Sequence, residues 1–288
     1  MTETWTVGRM LQWTAGYFRR KGLPEPRLEA EILLAHVLGW ERMSLYVNYD
    51  QPVNKEERAS YRQIIKRRIQ GEPVAYLVGY KEFFSLKFKV TSDVLIPRPD
   101  TEVLVETAIE QGRNQVGLLE VADVGTGSGV IAVTLAAYLP QAQIYAVDIS
   151  ERALLVAMEN AALHGVADCI TFMPGDLLQP LVNANTRLDM VVANLPYVPA
   201  AELSRLDPGV REFEPRLALD GGNDGLAYYR RLIPQAYGSL KAGGWLLIEI
   251  GYDQASQVMQ LLNDFQEVRV IPDLAGRERV VAARKESL

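Results

Sequence analysis

The sequence is poor in the residues from which several chemistries are assembled. It has one cysteine, Cys169, and two histidines, His36 and His164. A lone thiol forms no internal disulfide, and three such residues build no Cys/His metal cluster, so a reducing compartment and a site without metal are expected. None of the three has a partner at catalytic spacing, and all are assigned to structure. No stretch approaches the ~18 uninterrupted apolar residues of a membrane span. The opening Met1-Thr2-Glu3-Thr4-Trp5 also lacks a basic start followed by an apolar core, so a cytoplasmic protein without membrane contact is expected. Basic charge is scarce: 30 Lys and Arg against 36 Asp and Glu leave a net charge of −6. That balance argues against a grip on a long phosphate backbone, and no direct nucleic-acid partner is expected. The densest basic run, Lys66-Arg67-Arg68, reads as a solvated helix face. Internal repeats, low-complexity tracts and long Gly/Ser linkers are missing as well.

What is present is an ordinary globular chain of 288 residues, long enough for one or two domains, with two as the working number. In residues 1–72, apolar positions recur at helical spacing in Val7, Met10 and Leu11 and again in Ile32, Leu33 and Val37, with Gly22-Leu23-Pro24 breaking the run. A third helix follows Asn54 as its cap and continues through Ile64, Ile65 and Arg68. This part reads as a small helical bundle. Residues 73–94 read as a hairpin linker, because Phe84, Leu86, Phe88 and Val90 alternate with Ser85, Lys87 and Lys89. Residues 95–288 alternate short apolar strands with longer helices, the pattern of a mostly parallel sheet covered on both faces. Strands are expected at 119–124, 143–147, 170–173, 190–193 and 245–250, with a closing pair near 268–271 and 279–283.

The strongest chemical signal is Asp123-Val124-Gly125-Thr126-Gly127-Ser128-Gly129, leading into an apolar helix. Glycines at alternate positions let the backbone turn tightly beside a ligand, and the following helix N-terminus offers free N–H groups. A dinucleotide fingerprint needs glycine at position 130, where Val130 stands, so the spacing favours a smaller adenosine-type cofactor over a pyrophosphate. The same glycines would also serve a plain strand-to-helix turn. About twenty residues on, Asp148 ends the second strand, where a carboxylate accepts from both ribose hydroxyls; the competing reading is a cap for the next helix. At the end of the third strand, Asp176 would accept from the adenine amino group and Leu177 pack on its ring, although Gly175-Asp176 is also common turn chemistry.

The fourth strand runs into Asn194-Leu195-Pro196-Tyr197. The Asn194 side-chain oxygen and the Leu195 carbonyl can each accept one N–H of a substrate –NH₂, turning its lone pair toward a methyl donor. Pro196 holds Leu195 extended, and Tyr197 would stack on the planar group. Methyl transfer from a sulfonium needs alignment and a dry pocket more than prior proton abstraction, so positioning supplies most of the rate. Alone, this tetrapeptide would also make an unremarkable strand-ending turn.

These residues resemble the release-factor glutamine methyltransferases over essentially the whole chain. The resemblance extends to Gly71-Glu72-Pro73, Ala75-Tyr76, Glu82-Phe83 and Leu95-Ile96-Pro97-Arg98-Pro99-Asp100-Thr101-Glu102. It continues in Glu214-Pro215-Arg216, Ala218-Leu219 and Gly221-Gly222-Asn223-Asp224-Gly225-Leu226. It implies a Rossmann-like class I methyltransferase domain with a seven-stranded sheet, preceded by a helical domain that helps to hold the protein substrate. It further implies S-adenosylmethionine as cofactor, S-adenosylhomocysteine as product, and methylation of the glutamine in the Gly-Gly-Gln loop of class-1 peptide chain release factors. By the same resemblance Gly125, Thr126, Gly127, Ser128, Gly129, Asp148, Leu177 and Asn194 contact the cofactor, and Asn194 to Tyr197 the glutamine. Two positions depart from the family pattern: proline is usual where Leu195 stands, and an aromatic is often found at Leu177. Asp100 and Thr101 would either cap the following helix or help to cover the cofactor. A monomer is expected. The rival readings are an adenine-N6 methyltransferase acting on DNA or RNA, which presents the same planar –NH₂, and a non-catalytic adaptor.

Overall fold

The computed structural model describes residues 4–287; the readings placed on Met1, Thr2 and Glu3 lie outside the described residues. Contacts divide the chain into two units. One runs through Tyr80 and includes Asp207–Phe213; the other comprises Lys81–Leu206 and Glu214–Leu288.

The first unit is helical, with α1 (Val7–Arg20), α2 (Pro26–Leu38), α3 (Ser44–Val47), α4 (Lys55–Ile69) and α5 (Val74–Val78). The Thr6 side chain caps α1 by accepting from the Arg9 N–H. The expected cap Asn54 opens α4 in a reciprocal capping box with Glu57. Val7, Met10, Leu11, Ala15 and Phe18 form the buried stripe of α1 and join Leu33, Leu34, Leu45 and Tyr61 in one core, each large side chain contributing roughly 1.5–3 kcal/mol by leaving water. The Tyr61 hydroxyl donates to the Ala30 carbonyl at 2.9 Å, satisfying a fully buried polar atom. In the basic run at the end of α4, Lys66 and Arg67 are exposed as a solvated face requires, and Arg68 departs from it. Arg68 turns inward and makes a two-pronged pair with buried Glu29, at 2.8 and 2.9 Å. Arg67 pairs with Glu72.

A hairpin of β1 (Tyr80–Phe83) and β2 (Leu86–Lys89) follows, and from Lys81 on it belongs to the second unit. Phe84 does not continue the strand alternation: Phe84 and Ser85, at φ 50° and 61°, are the turn itself. Residues 73–79, read as linker, hold α5. The sheet strands are β3 (Leu119–Val124), β4 (Ala142–Asp148), β5 (Ile170–Pro174), β6 (Leu188–Ala193), β7 (Leu240–Glu249), β8 (Gln266–Pro272) and β9 (Glu278–Arg284). Their order is β5-β4-β3-β6-β7-β9-β8, with β9 antiparallel to both neighbours and the other pairings parallel. This is an α/β Rossmann-like architecture. β7 starts five residues earlier than its apolar run, where Leu240 pairs with Leu188 before a register shift. Lys241-Ala242-Gly243-Gly244 carry no apolar run that would signal that extension.

Helices α6 (Thr101–Arg113), α7 (Val130–Tyr138) and α8 (Glu151–Leu163) cover one face, and α9 (Gln179–Asn183), α11 (Ala227–Ser239) and α12 (Ala255–Met259) the other. The intervening α10 (Pro208–Phe213) groups with the first unit. Alternate residues of β3 enter the two cores: Val121 packs with α6 and α7, Ala122 and Val124 with α9 and α11. Residues Val130 to Ala136 are buried all round, which is why α7 reads as a continuous apolar run. The chain proceeds outward from β3 to β5, then restarts at β6 on the other side of β3. A crevice at the carboxyl edge follows from that reversal.

Candidate active site

A cavity of about 1080 Å³, including its open mouth, lies where β3, β4, β5 and β6 end. Gly125, Thr126, Gly127, Ser128, Asp148, Asp176, Leu177, Asn194, Leu195 and Pro196 all line it. The expected site residues are therefore brought together with two exceptions, Gly129 and Tyr197.

The loop after β3 is fixed from below. The N–H groups of Gly125 and Thr126 both donate to the Val147 carbonyl, at 2.8 and 3.1 Å. Asp123 Oδ2 accepts from the Thr126 hydroxyl at 2.7 Å and from the Ala132 N–H at 3.0 Å. Asp123 is fully buried, and burial pushes its carboxyl up to about 7 against the pull of those donors. Gly125, Gly127 and Gly129 all lie at positive φ. Gly129 starts α7, and its Cβ position would meet the Ala157 Cβ at 3.0 Å; its part is helix packing.

Asp148 accepts the Gly127 N–H at 2.9 Å and the Ser150 N–H at 2.8 Å, one on each oxygen. Each oxygen keeps a lone pair for a ligand hydroxyl. Burial raises its pKa, opposed by those same N–H donors. The cap of α8 is Ser150, whose side chain accepts from the Ala153 N–H, so Asp148 is not merely a helix cap. Asp176 pairs with Arg231. Leu177 is buried on the cavity wall at φ 54°, a left-handed conformation that costs a non-glycine residue about 1–3 kcal/mol and that its surroundings must hold in place.

After β6, Leu195 takes the position where proline was expected, and its Cδ2 lies 3.0 Å from where a Cβ on Gly125 would stand. The two loops thus interlock. Asn194 donates through Nδ2 to the Thr101 hydroxyl at 3.1 Å. Tyr197 departs from its expected place on the cavity wall. Its hydroxyl turns inward to Glu249 Oε1 at 3.5 Å, and burial together with the Glu249 charge raises its pKa. Its carbonyl accepts from Gln254 Nε2 at 3.0 Å, and the chain beyond it pairs with residues 219–222 through Val198 and Ala200. The glycine-rich segment 221–225 has its purpose here: a Cβ on Gly225 would stand 2.3 Å from the Tyr197 carbonyl oxygen.

Four residues carry more than the sequence discloses. Glu214, buried, accepts the Ile96 N–H at 3.1 Å and pairs with Arg98 at 2.5 Å. It thereby pins the segment whose Leu95, Pro97 and Arg98 wall the cavity together with Pro215, Leu217 and Ala218. Thr101 and Asp100 give α6 no side-chain cap; Thr101 meets Asn194 instead, and Asp100 pairs with Arg279 at 3.1 Å. Glu249, 1% exposed, lies behind both. The only signals in the sequence were the Pro-Arg-Pro-Asp-Thr and Glu-Pro-Arg motifs themselves. His164 packs on Phe88 and contacts the Lys87 carbonyl, and Cys169 is a half-buried free thiol.

Comparison with known proteins follows the same division. A family profile described as the PrmC N-terminal domain matches residues 9–79, and one described as ribosomal protein L11 methyltransferase (PrmA) matches residues 100–210. The release factor glutamine methyltransferase of Geobacter sulfurreducens is 45% identical over 284 residues, covering 98% of each chain. That of Moorella thermoacetica is 47% identical over 269 residues, 92% of this chain and 94% of the relative. Among solved structures, a methyltransferase from Pyrococcus furiosus matches at TM-score 0.53 and 16% identity, over 79% of this chain and 99% of its own, a likeness of fold.

Proposed function

The chain belongs to the release factor glutamine methyltransferases, and from that premise we propose how its cavity carries out the family's reaction. The reaction is transfer of a methyl group from S-adenosylmethionine to the side-chain amide nitrogen, N5, of the glutamine in the Gly-Gly-Gln loop of class-1 peptide chain release factors.

The residues present suit that cofactor. The rim holds a glycine loop with a helix N-terminus behind it and a carboxylate, Asp148, with free lone pairs for ribose hydroxyls. Apolar Leu177 and Ile149 offer walls for a purine, and Asp176 an acceptor at its edge. Bound there, the cofactor supplies an electrophilic methyl carbon on a sulfonium. The protein supplies place and orientation. Asn194 Oδ1 and the Leu195 carbonyl accept the two N–H bonds of the glutamine amide, and Pro196 restrains the carbonyl. Tyr197, in this geometry, braces the turn from behind. The apolar wall formed by Val94, Leu95, Pro97, Pro215, Leu217 and Ala218 keeps water from the reacting nitrogen.

The observation that carries this reading is Asn194, an amide on the cavity wall whose –NH₂ is already engaged with Thr101, leaving its oxygen to accept. The helical unit is read as the holder of the factor. It carries an exposed groove in which Trp13 and Tyr17 stack beside Arg58, Arg62 and Lys66. Among the described residues no helix is long and apolar enough to cross a membrane, and the reading places the enzyme in the cytoplasm, where release factors work. Incubation with a class-1 release factor and methyl-labelled cofactor tests it: label on the loop glutamine is expected, and an unlabelled factor contradicts it.

A further inference from the structure

An amide side chain has two ends of opposite character. To receive a substrate –NH₂, Asn194 must turn its oxygen, not its own –NH₂, toward the cavity. Nothing within the Asn-Leu-Pro-Tyr turn decides between these orientations. The deciding groups come from α6 and β7.

Thr101 Oγ1 accepts from Asn194 Nδ2 at 3.1 Å. A hydroxyl also has one proton to give, and if that proton went to Asn194 the amide could rest the other way round. Thr101 is 2% exposed, and the group beside it is the Glu249 carboxylate, 1% exposed. Burial raises the Glu249 carboxyl to about 7 and the Thr101 hydroxyl opposes that rise, so near pH 8 the group is ionised. An ionised carboxylate only accepts. It draws the hydroxyl proton to itself and leaves the Thr101 lone pair as the sole match for Asn194, which must then present Nδ2.

The other neighbours of Glu249 are consistent with a carboxylate held for this purpose. The Tyr197 hydroxyl lies 3.5 Å from Oε1, and the Tyr229 hydroxyl donates to the Glu249 backbone carbonyl at 2.6 Å. Arg279 favours the charge and Asp100 opposes it. Oε2 has no hydrogen-bond partner among the described residues. A carboxylate so buried and so incompletely satisfied is costly to the fold, and packing alone would be served as well by an apolar side chain of similar size.

We propose that Glu249 and Thr101 are positioning residues that lock the Asn194 amide with its oxygen facing the reacting nitrogen. The inference rests on the methyl-transfer reading above. Its test uses the full chain near pH 8, with Thr101→Val, which keeps the shape and removes the hydroxyl, and Thr101→Ser, which keeps the hydroxyl. Thr101→Val lowers kcat roughly tenfold or more while the S-adenosylmethionine Kd from calorimetry stays within about twofold, and Thr101→Ser restores most of the rate. In ¹⁵N spectra, the Asn194 side-chain pair, identified by its loss in Asn194→Ala, shifts in the valine variant and not in the serine variant. A wild-type kcat in Thr101→Val overturns the proposal. So does an equal loss in Thr101→Ser, or a matching loss of cofactor affinity, either of which would mark general damage. If Thr101→Val does not fold, Glu249→Gln serves with the same readouts, because glutamine can donate to Thr101 and release the lock: kcat falls several-fold with cofactor affinity kept, and an unchanged kcat contradicts the idea. A wild-type enzyme that methylates no factor defeats the functional reading instead, and the amide spectra then decide the lock without turnover.

Discussion

Asp148 Oδ2 accepts the backbone N–H of Gly127 at 2.9 Å, so the acid at the tip of β4 and the glycine loop after β3 form one braced rim. The ribose acceptor and the loop beside it are positioned together, and damage to one is felt by the other.

Asp148→Ala is expected to weaken S-adenosylmethionine binding by about 1.5–3 kcal/mol, the usual worth of a hydrogen bond to a charged group, or roughly ten- to a hundredfold in Kd. Isothermal calorimetry reads this directly. Unchanged affinity removes Asp148 from the cofactor site.

Glu214→Ala leaves the Ile96 N–H unpaired in a buried position and frees Arg98. A stability loss of about 2–3 kcal/mol in urea unfolding is expected, accompanied by weaker cofactor binding as the wall over the cavity loosens. Glu214→Gln, which can still accept from Ile96, loses less. Equal losses in the two variants would show that the Ile96 contact contributes nothing.

Gly225 sits at φ 77°, with its Cβ position 2.3 Å from the Tyr197 carbonyl oxygen. Gly225→Ala combines backbone strain with a clash against main chain, so the turn bearing Asn194 has to move. The expected result is a fall in both melting temperature and kcat, and an alanine variant with wild-type values of both would show that the turn tolerates displacement.

Burial raises the carboxyls of Asp123 and Glu249 to about 7 each. The folded state therefore holds these protons more tightly than the unfolded chain. The stability cost is absent below the ordinary carboxylate range, grows as pH rises toward about 7, and is constant above it, on the order of 3–4 kcal/mol per group. Urea unfolding near pH 5 and near pH 8 should show wild type losing about 2 kcal/mol more than Glu249→Gln across that interval. Parallel profiles would mean that Glu249 ionises as it does in water.

Much of the catalytic unit is legible in the sequence because its signals are local. β3 and β6 are buried on both faces and read as short apolar runs, and the glycine spacing after β3 needs only neighbouring residues to be interpreted. Asn54 is a cap in the structure as in the sequence. The remainder depends on partners far apart along the chain. A threonine at a helix start looks like a cap, and only the folded sheet brings Thr101 to Asn194, 93 residues away. Glu214 and Ile96 meet across 118 residues. Phe84 keeps the strand alternation in sequence, yet the hairpin turns there, at a conformation that residue type does not advertise. Tyr197 was given a wall position because aromatic rings stack on planar groups; its hydroxyl instead follows the buried carboxylate on β7.

The central claim is that the turn after β6 aligns a nitrogen for attack rather than holding the cofactor, and Asn194→Ala tests it most directly. With the methyl acceptor and S-adenosylmethionine both saturating, the account predicts a rate of methyl transfer lower by roughly a hundredfold, at a cofactor Kd within about threefold of wild type. A variant that transfers methyl at the wild-type rate would contradict it.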